Sequence, residues 1–286
     1  FMTILFMLDL TITIGILQNA DTMDLIYGKG EQSVVNQEGR SAASAQYYRK
    51  QYATSDAART AALQVSARIS DEGTVLLKND DLLPLSSNTA VTPLGLGFFR
   101  PLYCGSGSSA ISTTDDDVDT PIEGLRRAFS RMNTTVETIQ RNVFEAQGNL
   151  QENPGIVTTR PLDQSNRNLY EFSDAIFLEG ADSLRETVSI VYITRHSGEN
   201  QDLCTSTYED GTPHALALTA AEKRILMLAK QYSSAVVVVV SSASPMELGE
   251  LEDDPEIRAI LWQGGAGSTG YSSIANILSG RVNPSG

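Results

Sequence analysis

VVVVVSSASPMEL, residues 236–248, decides the fold class. Five consecutive valines leave no wet face, so this run fits a strand covered on both sides. That is the situation of a parallel sheet held between helical layers. Outward from it, residues 218–232 form a helical pattern with Leu226, Leu228 and Ala229 inward. TVSIVYIT (187–194) is a second β-branched strand, residues 257–262 a third, and residues 269–278 a further helix. Nearer the start, VTPLGLGFF (91–99) reads as a strand weakened by Pro93. Residues 122–132 read as an amphipathic helix, 134–139 as a strand and 147–174 as a long polar loop. Residues 55–69 read as a helix, with Ser55 at the N-cap and Ala58, Ala61, Ala62, Val65 and Ile69 at helical spacing. Strand–helix alternation from residue 91 onward predicts an α/β domain: a doubly wound, mostly parallel sheet sandwiched by helices.

The composition fits such a domain. The 286 residues are 41% hydrophobic and 20% charged, which excludes a disordered or fibrous chain. Lys and Arg total 21 against 35 Asp and Glu, a net charge of −14. A surface this acidic repels phosphate backbones and argues against a nucleic-acid partner. The two cysteines, Cys104 and Cys204, form no CxxC pair, and the two histidines, His196 and His214, are too few for a His-rich centre. A disulfide scaffold, a cysteine zinc site and a His-rich metal centre are not expected. Residues 1–17, FMTILFMLDLTITIGIL, are mostly apolar but carry Asp9 and fall short of the roughly twenty residues that span a bilayer. A truncated membrane anchor, a signal-peptide core and a core helix or strand are the open readings. The chain opens on Phe1 and its last motif runs to Gly286, so a piece of a longer protein is expected.

Several constellations could carry chemistry. The small-residue loop CGSGSSA (104–110) follows a strand but lacks both the GK[ST] of a phosphate loop and a full GxGxxG, which disfavours a nucleotide-binding protein. In ITRHSGENQD (193–202), Arg195, His196, Glu199 and Asp202 gather just after a strand, where open parallel sheets place their ligand groups. A carboxylate near an Arg on a glycine-flexed loop suits general acid/base work, and a solvated polar loop is the bland alternative. The acidic runs 115–117 and 252–254 read as solvated turns or cation sites without EF-hand spacing. Gly264, Gly265 and Gly267 precede the last helix as an anion cradle or a tight turn. Trp262 suits stacking on a sugar or packing in the core.

Taken in order, four segments resemble one family. EGTVLLKNDDLLPL (72–85) is similar to the "EGIVLLKN…LPL" entrance to the second domain of family 3 glycoside hydrolases. RHSGENQD (195–202) resembles that domain's "R-SGEG-D" loop, and VVVVVSSASPMEL its "VVVVLNSG-P-E" strand. AILWQGGAGSTGYSSIANILSGRVNPSG (259–286) resembles its ending, the final NPSG above all. The likeness covers residues 55–286. The YYRKQY patch (47–52) and the Gly-Ser loop are similar to bacterial members with inverted domain order, in which a hydrophobic segment and a linker precede this domain and a TIM barrel follows it.

The resemblance implies a domain organisation of 1–27 as a hydrophobic anchor segment, 28–54 as a linker and 55–286 as the α/β sandwich. It implies part of a retaining glycosidase acting on β-glucosides or related oligosaccharides with no metal and no organic cofactor, membrane-anchored in a bacterium on a side that the sequence leaves open. Glu199 matches the acid/base glutamate of SGEG, whose pKa burial or a neighbouring carboxylate would have to raise. Arg195 and Asp202 match flanking positions that brace the loop or bind substrate, and Ser106 and Ser108 would line the cleft. The barrel supplies the nucleophile in this family, so the chain alone is expected to be inactive. Asn200 in place of the second glycine, QGGAG in place of PGQEGG, and Pro93 allow a degenerate copy. A non-catalytic carbohydrate-binding or scaffold domain is the rival class.

Overall fold

The computed structural model describes residues 2–19, 51–112, 118–146, 148–163, 167–200 and 202–286. Most of the linker, with Tyr47 and Tyr48, and the acidic run 115–117 lie outside these. The chain divides into two compact units, Phe1–Ala53 and Thr54–Gly286.

In the first unit, α1 (Met2–Gln18) is a 17-residue helix. Leu5, Phe6, Met7, Leu8, Leu10, Ile12 and Ile14 are exposed on it. At 1.5 Å per residue it reaches about 26 Å, short of a hydrocarbon layer of about 30 Å. No helix among the described residues is long and apolar enough to cross a membrane.

The second unit opens on α2 (Ser55–Gly73), whose N-cap is Thr54 rather than Ser55: the Thr54 hydroxyl accepts from Ala57 N. A six-stranded sheet follows, built from β1 (Val75–Asn79), β2 (Ala90–Leu94), β3 (Arg131–Met132), β6 (Val188–Arg195), β7 (Ala235–Ser242) and β8 (Ile257–Gln263). Its order is β1-β8-β7-β6-β2-β3. Only the β1–β8 pairing is antiparallel. A separate antiparallel hairpin pairs β4 (Ile156–Thr159) with β5 (Leu169–Phe172).

The valine run behaves as its pattern demands. Val236, Val238 and Val240 point into one apolar cluster, with Ile225, Leu226, Leu228 and Ala229 of α7 (Ala220–Tyr232) and Val136 of α5 (Thr134–Glu145). Val237 and Val239 point into the other, with Leu125 and Ala128 of α4 (Pro121–Ala128) and Ile274, Ile277 and Leu278 of α8 (Gly270–Leu278). All five are essentially inaccessible. Burying one such side chain contributes roughly 1.5–3 kcal/mol, so this strand anchors both layers.

Besides the Ser55 cap, four expectations fail for identifiable reasons. The helix expected over 122–132 ends at Ala128, because Phe129 turns extended and Arg131–Met132 pair as β3 with Ala90 and Val91. Residues 134–139 belong to α5 rather than to a strand. The Asn133 side chain accepts from Thr135 N and Val136 N, and burial at Val136, Glu137 and Gln140 follows a helical face. The β-branched Thr134-Thr135-Val136 imitates a strand; the cap and the packing override it. The 147–174 stretch holds the β4–β5 hairpin and α6 (Asp174–Glu179 begins at its last residue). Residues 91–99 split into β2 and a short helix, α3 (Leu96–Phe99), at Gly95, whose φ is +98°. Pro93 is tolerated because β3 pairs only with Ala90 and Val91. Past that point the Gln140 side chain replaces a neighbouring strand: its amide donates to Pro93 O (2.8 Å) and its carbonyl accepts from Gly95 N (3.1 Å).

Gly286 meets the C-terminal end of α2, where the chain enters β1. A Cβ built on Gly286 would lie 2.9 Å from Thr74 O and 3.1 Å from Glu72 O.

Candidate active site

From β2 the chain moves outward to β3, then returns to β6 on the other side of β2 and continues to β7 and β8. The order reverses between β2 and β6. In open α/β sheets the crevice outside the carboxyl ends of such strands is where ligands bind. Both loops singled out from the sequence leave from here. The chain after β2 lies flat on β6, because Gly95 and Gly97 have no side chain: a Cβ at either would come within 2.8 Å of Tyr192 O. It then runs along Leu102 and Tyr103, whose carbonyls accept from Ala266 N (3.0 Å) and Gly267 N (2.7 Å). Those two amides of the 264–267 turn are thereby spent on the loop and form no open anion cradle. Trp262 packs against the core cluster of α7.

The Gly-Ser loop and the loop after β6 interlock. Glu199 Oε2 accepts from Ser108 N (3.1 Å) and from the Ser108 hydroxyl (2.9 Å). Gly107, at φ +77°, has no room for a side chain: its Cβ would lie 2.5 Å from that same Oε2. Gly198 sits over Ser106, where a Cβ would meet Ser106 Oγ at 2.0 Å. The structure therefore brings Ser106, Ser108 and Glu199 together. Among the described residues it does not supply the burial or the neighbouring carboxylate expected to raise the Glu199 pKa. Glu199 is exposed, and the Ser108 amide, followed by its hydroxyl, holds the carboxyl below the usual range. Asn200 takes φ +60°, the left-handed region in which Gly is at ease and Asn is among the best-tolerated alternatives. The departure from the family's glycine keeps the backbone shape.

Arg195 is not placed to bind substrate. It is 1% exposed, and all five of its N–H donors are used inside the protein. Nε donates to Ala215 O (2.5 Å), and Nη1 to Thr194 O (2.9 Å) and Glu222 Oε1 (2.6 Å). Nη2 donates to Ala217 O (2.9 Å) and Glu222 Oε2 (2.7 Å). The bidentate pair pins the end of β6, and with it the root of the Glu199 loop, to the start of α7. Asp202 is exposed on a shallow depression with Ser197, Gly198, Leu203, Leu216, Ser244 and Pro245. No geometry ties it to the Glu199 carboxylate. The acidic run 252–254 is braced by lysines: Lys230 Nζ meets Asp254 Oδ2 at 2.6 Å, and Lys78 donates to Glu252 O and Asp254 O.

Sequence reasoning missed Glu171 and Glu222. Glu222 closes a capping box with Thr219, legible as T-A-A-E, but its second role toward Arg195 is visible only in three dimensions. Glu171 of β5 is 5% exposed and borders a cavity of about 220 Å³ between the ends of β2 and β6, with Arg100, Arg167, Thr194 and His196. Its Oε1 accepts from Leu96 N (2.6 Å) and Phe172 N (2.7 Å). Burial pushes its pKa up to about 8 despite those two donors, and the Glu222 charge adds to the rise. A lone Glu between Tyr170 and Phe172 was the only signal in the sequence.

Comparison with known proteins agrees with this architecture. Residues 74–286 match the family model of the glycosyl hydrolase family 3 C-terminal domain. Beta-glucosidase A of Butyrivibrio fibrisolvens is 28% identical over 250 residues, covering 78% of this chain and 28% of that protein. Beta-glucosidase 1 of Aspergillus aculeatus is 25% identical over 224 residues, covering 77% and 24%. Among solved structures, beta-glucosidase 3B from Thermotoga neapolitana in complex with glucose superposes with a TM-score of 0.64 at 22% identity, over 80% of this chain and 30% of that one. A beta-glucosidase from Paenibacillus barengoltzii gives 0.59 at 24% identity, over 78% and 23%. At these identities the structures speak to the fold, which they share. The chain spans less than a third of the length of each of these relatives.

Proposed function

This chain belongs to glycosyl hydrolase family 3 through its C-terminal domain, and from that premise we propose that it supplies the acid/base, Glu199, to a retaining, β-glucosidase-like hydrolase. The observation that supports the assignment is positional. Glu199 sits on the loop at the carboxyl end of β6, at the reversal of strand order, matched to the SGEG glutamate and gripped by the facing Gly-Ser loop.

In the first half-reaction, protonated Glu199 donates its proton to the glycosidic oxygen as that bond to the anomeric carbon breaks. A second carboxylate, about 5–5.5 Å away and proposed to come from a TIM barrel domain, bonds to the same carbon. In the second half-reaction the Glu199 carboxylate removes a proton from water as water displaces the enzyme ester. Terminal β-D-glucosides are the proposed substrates, and the isolated chain is proposed to be inactive for want of the nucleophile. The test is Glu199→Ala in an enzyme carrying both domains. We expect turnover to fall roughly 10²–10⁴-fold, less for good leaving groups, with azide restoring it and yielding a β-glycosyl azide. Wild-type activity in the variant, or azide rescue confined to another carboxylate's variant, would remove Glu199 from this role.

The apolar α1 suggests a second element of the proposal, membrane association of residues 1–27. Equal partitioning of chains with and without these residues on cell fractionation would count against it.

A further inference from the structure

We propose that Ser108 is the positioning residue for Glu199: its amide and hydroxyl fix Oε2 of the carboxylate and leave Oε1 to face the reaction. The proposal rests on the acid/base reading of Glu199. Both donors converge on Oε2, at 3.1 and 2.9 Å, and Oε1 has no hydrogen-bond partner among the described residues. The grip needs close backbone approach on both sides. Gly107 leaves the space that the carboxylate occupies, and Gly198 leaves the space that Ser106 occupies. The two residues lie 91 positions apart, each on a loop rooted in the rigid sheet: one behind β2, the other behind β6 with Arg195 locked beneath it.

The two donors of Ser108 are not equivalent. The amide can only donate, so it favours the carboxylate, the form that must activate water. The hydroxyl can donate to the carboxylate or accept from the protonated acid, so it can serve both halves of a retaining cycle. Losing the hydroxyl removes one of two donors to the charged form and frees the side chain to rotate. The proton affinity of Glu199 then rises.

The experiment uses the 286-residue chain with glutamate labelled with carbon-13 at the carboxyl. The Glu199 resonance is identified by its loss in Glu199→Gln. Its titration midpoint is expected below that of ordinary glutamate, about 4.3. In Ser108→Ala the midpoint moves up toward that value; in Ser108→Thr, which keeps the hydroxyl, it returns toward the wild-type position. In an enzyme carrying both domains, the alkaline limb of kcat/KM moves up in Ser108→Ala and returns in Ser108→Thr. An unmoved midpoint in Ser108→Ala, or a wild-type Glu199 that titrates like ordinary glutamate, overturns the proposal. Azide rescue of Glu199→Ala reads the catalytic role separately. Rescue with an unmoved midpoint removes the clamp alone; a moved midpoint without rescue keeps the clamp and removes the acid/base role.

Discussion

Replacing Glu171 by Gln should make the domain less sensitive to alkali. The glutamine carbonyl can still accept from Leu96 N and Phe172 N, so the link between the β4–β5 hairpin and the turn after β2 survives. What disappears is a proton. Unfolded, Glu171 titrates near 4.5; folded, buried beside Glu222 and only partly offset by Arg195, it holds its proton to about pH 8. Between those values the folded state binds the extra proton, so this group makes stability fall as pH rises, by about 1.4 kcal/mol per pH unit. From pH 5 to pH 8 that amounts to about 3.5 kcal/mol, since the slope falls off near either midpoint. The figure is a large fraction of the 5–15 kcal/mol that typically holds a domain together. Urea unfolding of wild type and Glu171→Gln at half-unit steps from pH 5 to 9 isolates it, because other titrating groups cancel in the difference. The variant should gain on the wild type steadily up to about pH 8 and then run parallel to it. A difference constant to within about 0.5 kcal/mol across the range would show that Glu171 is already ionised in the folded protein, and the reasoning from burial would be wrong.

Arg195→Met should destabilise the domain by about 3–5 kcal/mol by stranding the buried Glu222, whereas Arg195→Met with Glu222→Leu should recover much of the loss. Additive urea-unfolding losses in the double variant would contradict the pairing. Asn200→Gly should leave stability within about 0.5 kcal/mol of wild type or raise it slightly, because φ +60° suits glycine. Asn200→Val should cost about 1–2 kcal/mol by the same measurement, and equal stability of the two variants would refute a left-handed residue 200.

The parts of the fold that could be read along the sequence are those whose environment repeats. Five valines in a row are legible because both faces of β7 meet helices. The same statistics mislead at Thr134-Thr135-Val136, where the Asn133 cap and one buried helical face decide the outcome. Pro93 looked like a flaw in a strand; a glutamine side chain from α5, 47 positions away, makes it harmless. At the candidate site, the motif singles out Glu199 and the glycine-rich setting singles out Ser108. Their bond is not legible, since a contact between two loop ends depends on strand order. Arg195 and Glu171 show the limit most plainly. The motif leaves Arg195 open between brace and substrate ligand until its burial is known, and it is a brace with no donor to spare; Glu171, a lone acid between two aromatic residues, carries no motif and shows itself only through its burial.

The meeting of Gly286 with Glu72 and Thr74 bears on how such a domain can be combined with others. The chain enters the sheet at β1, directly after Thr74, and Gly286 lies beside that entry point, with the β2–β6 crevice built wholly from residues between the two. Polypeptide joined at these two points attaches at one place on the fold, so a connection there can lengthen or shorten without any strand changing neighbours.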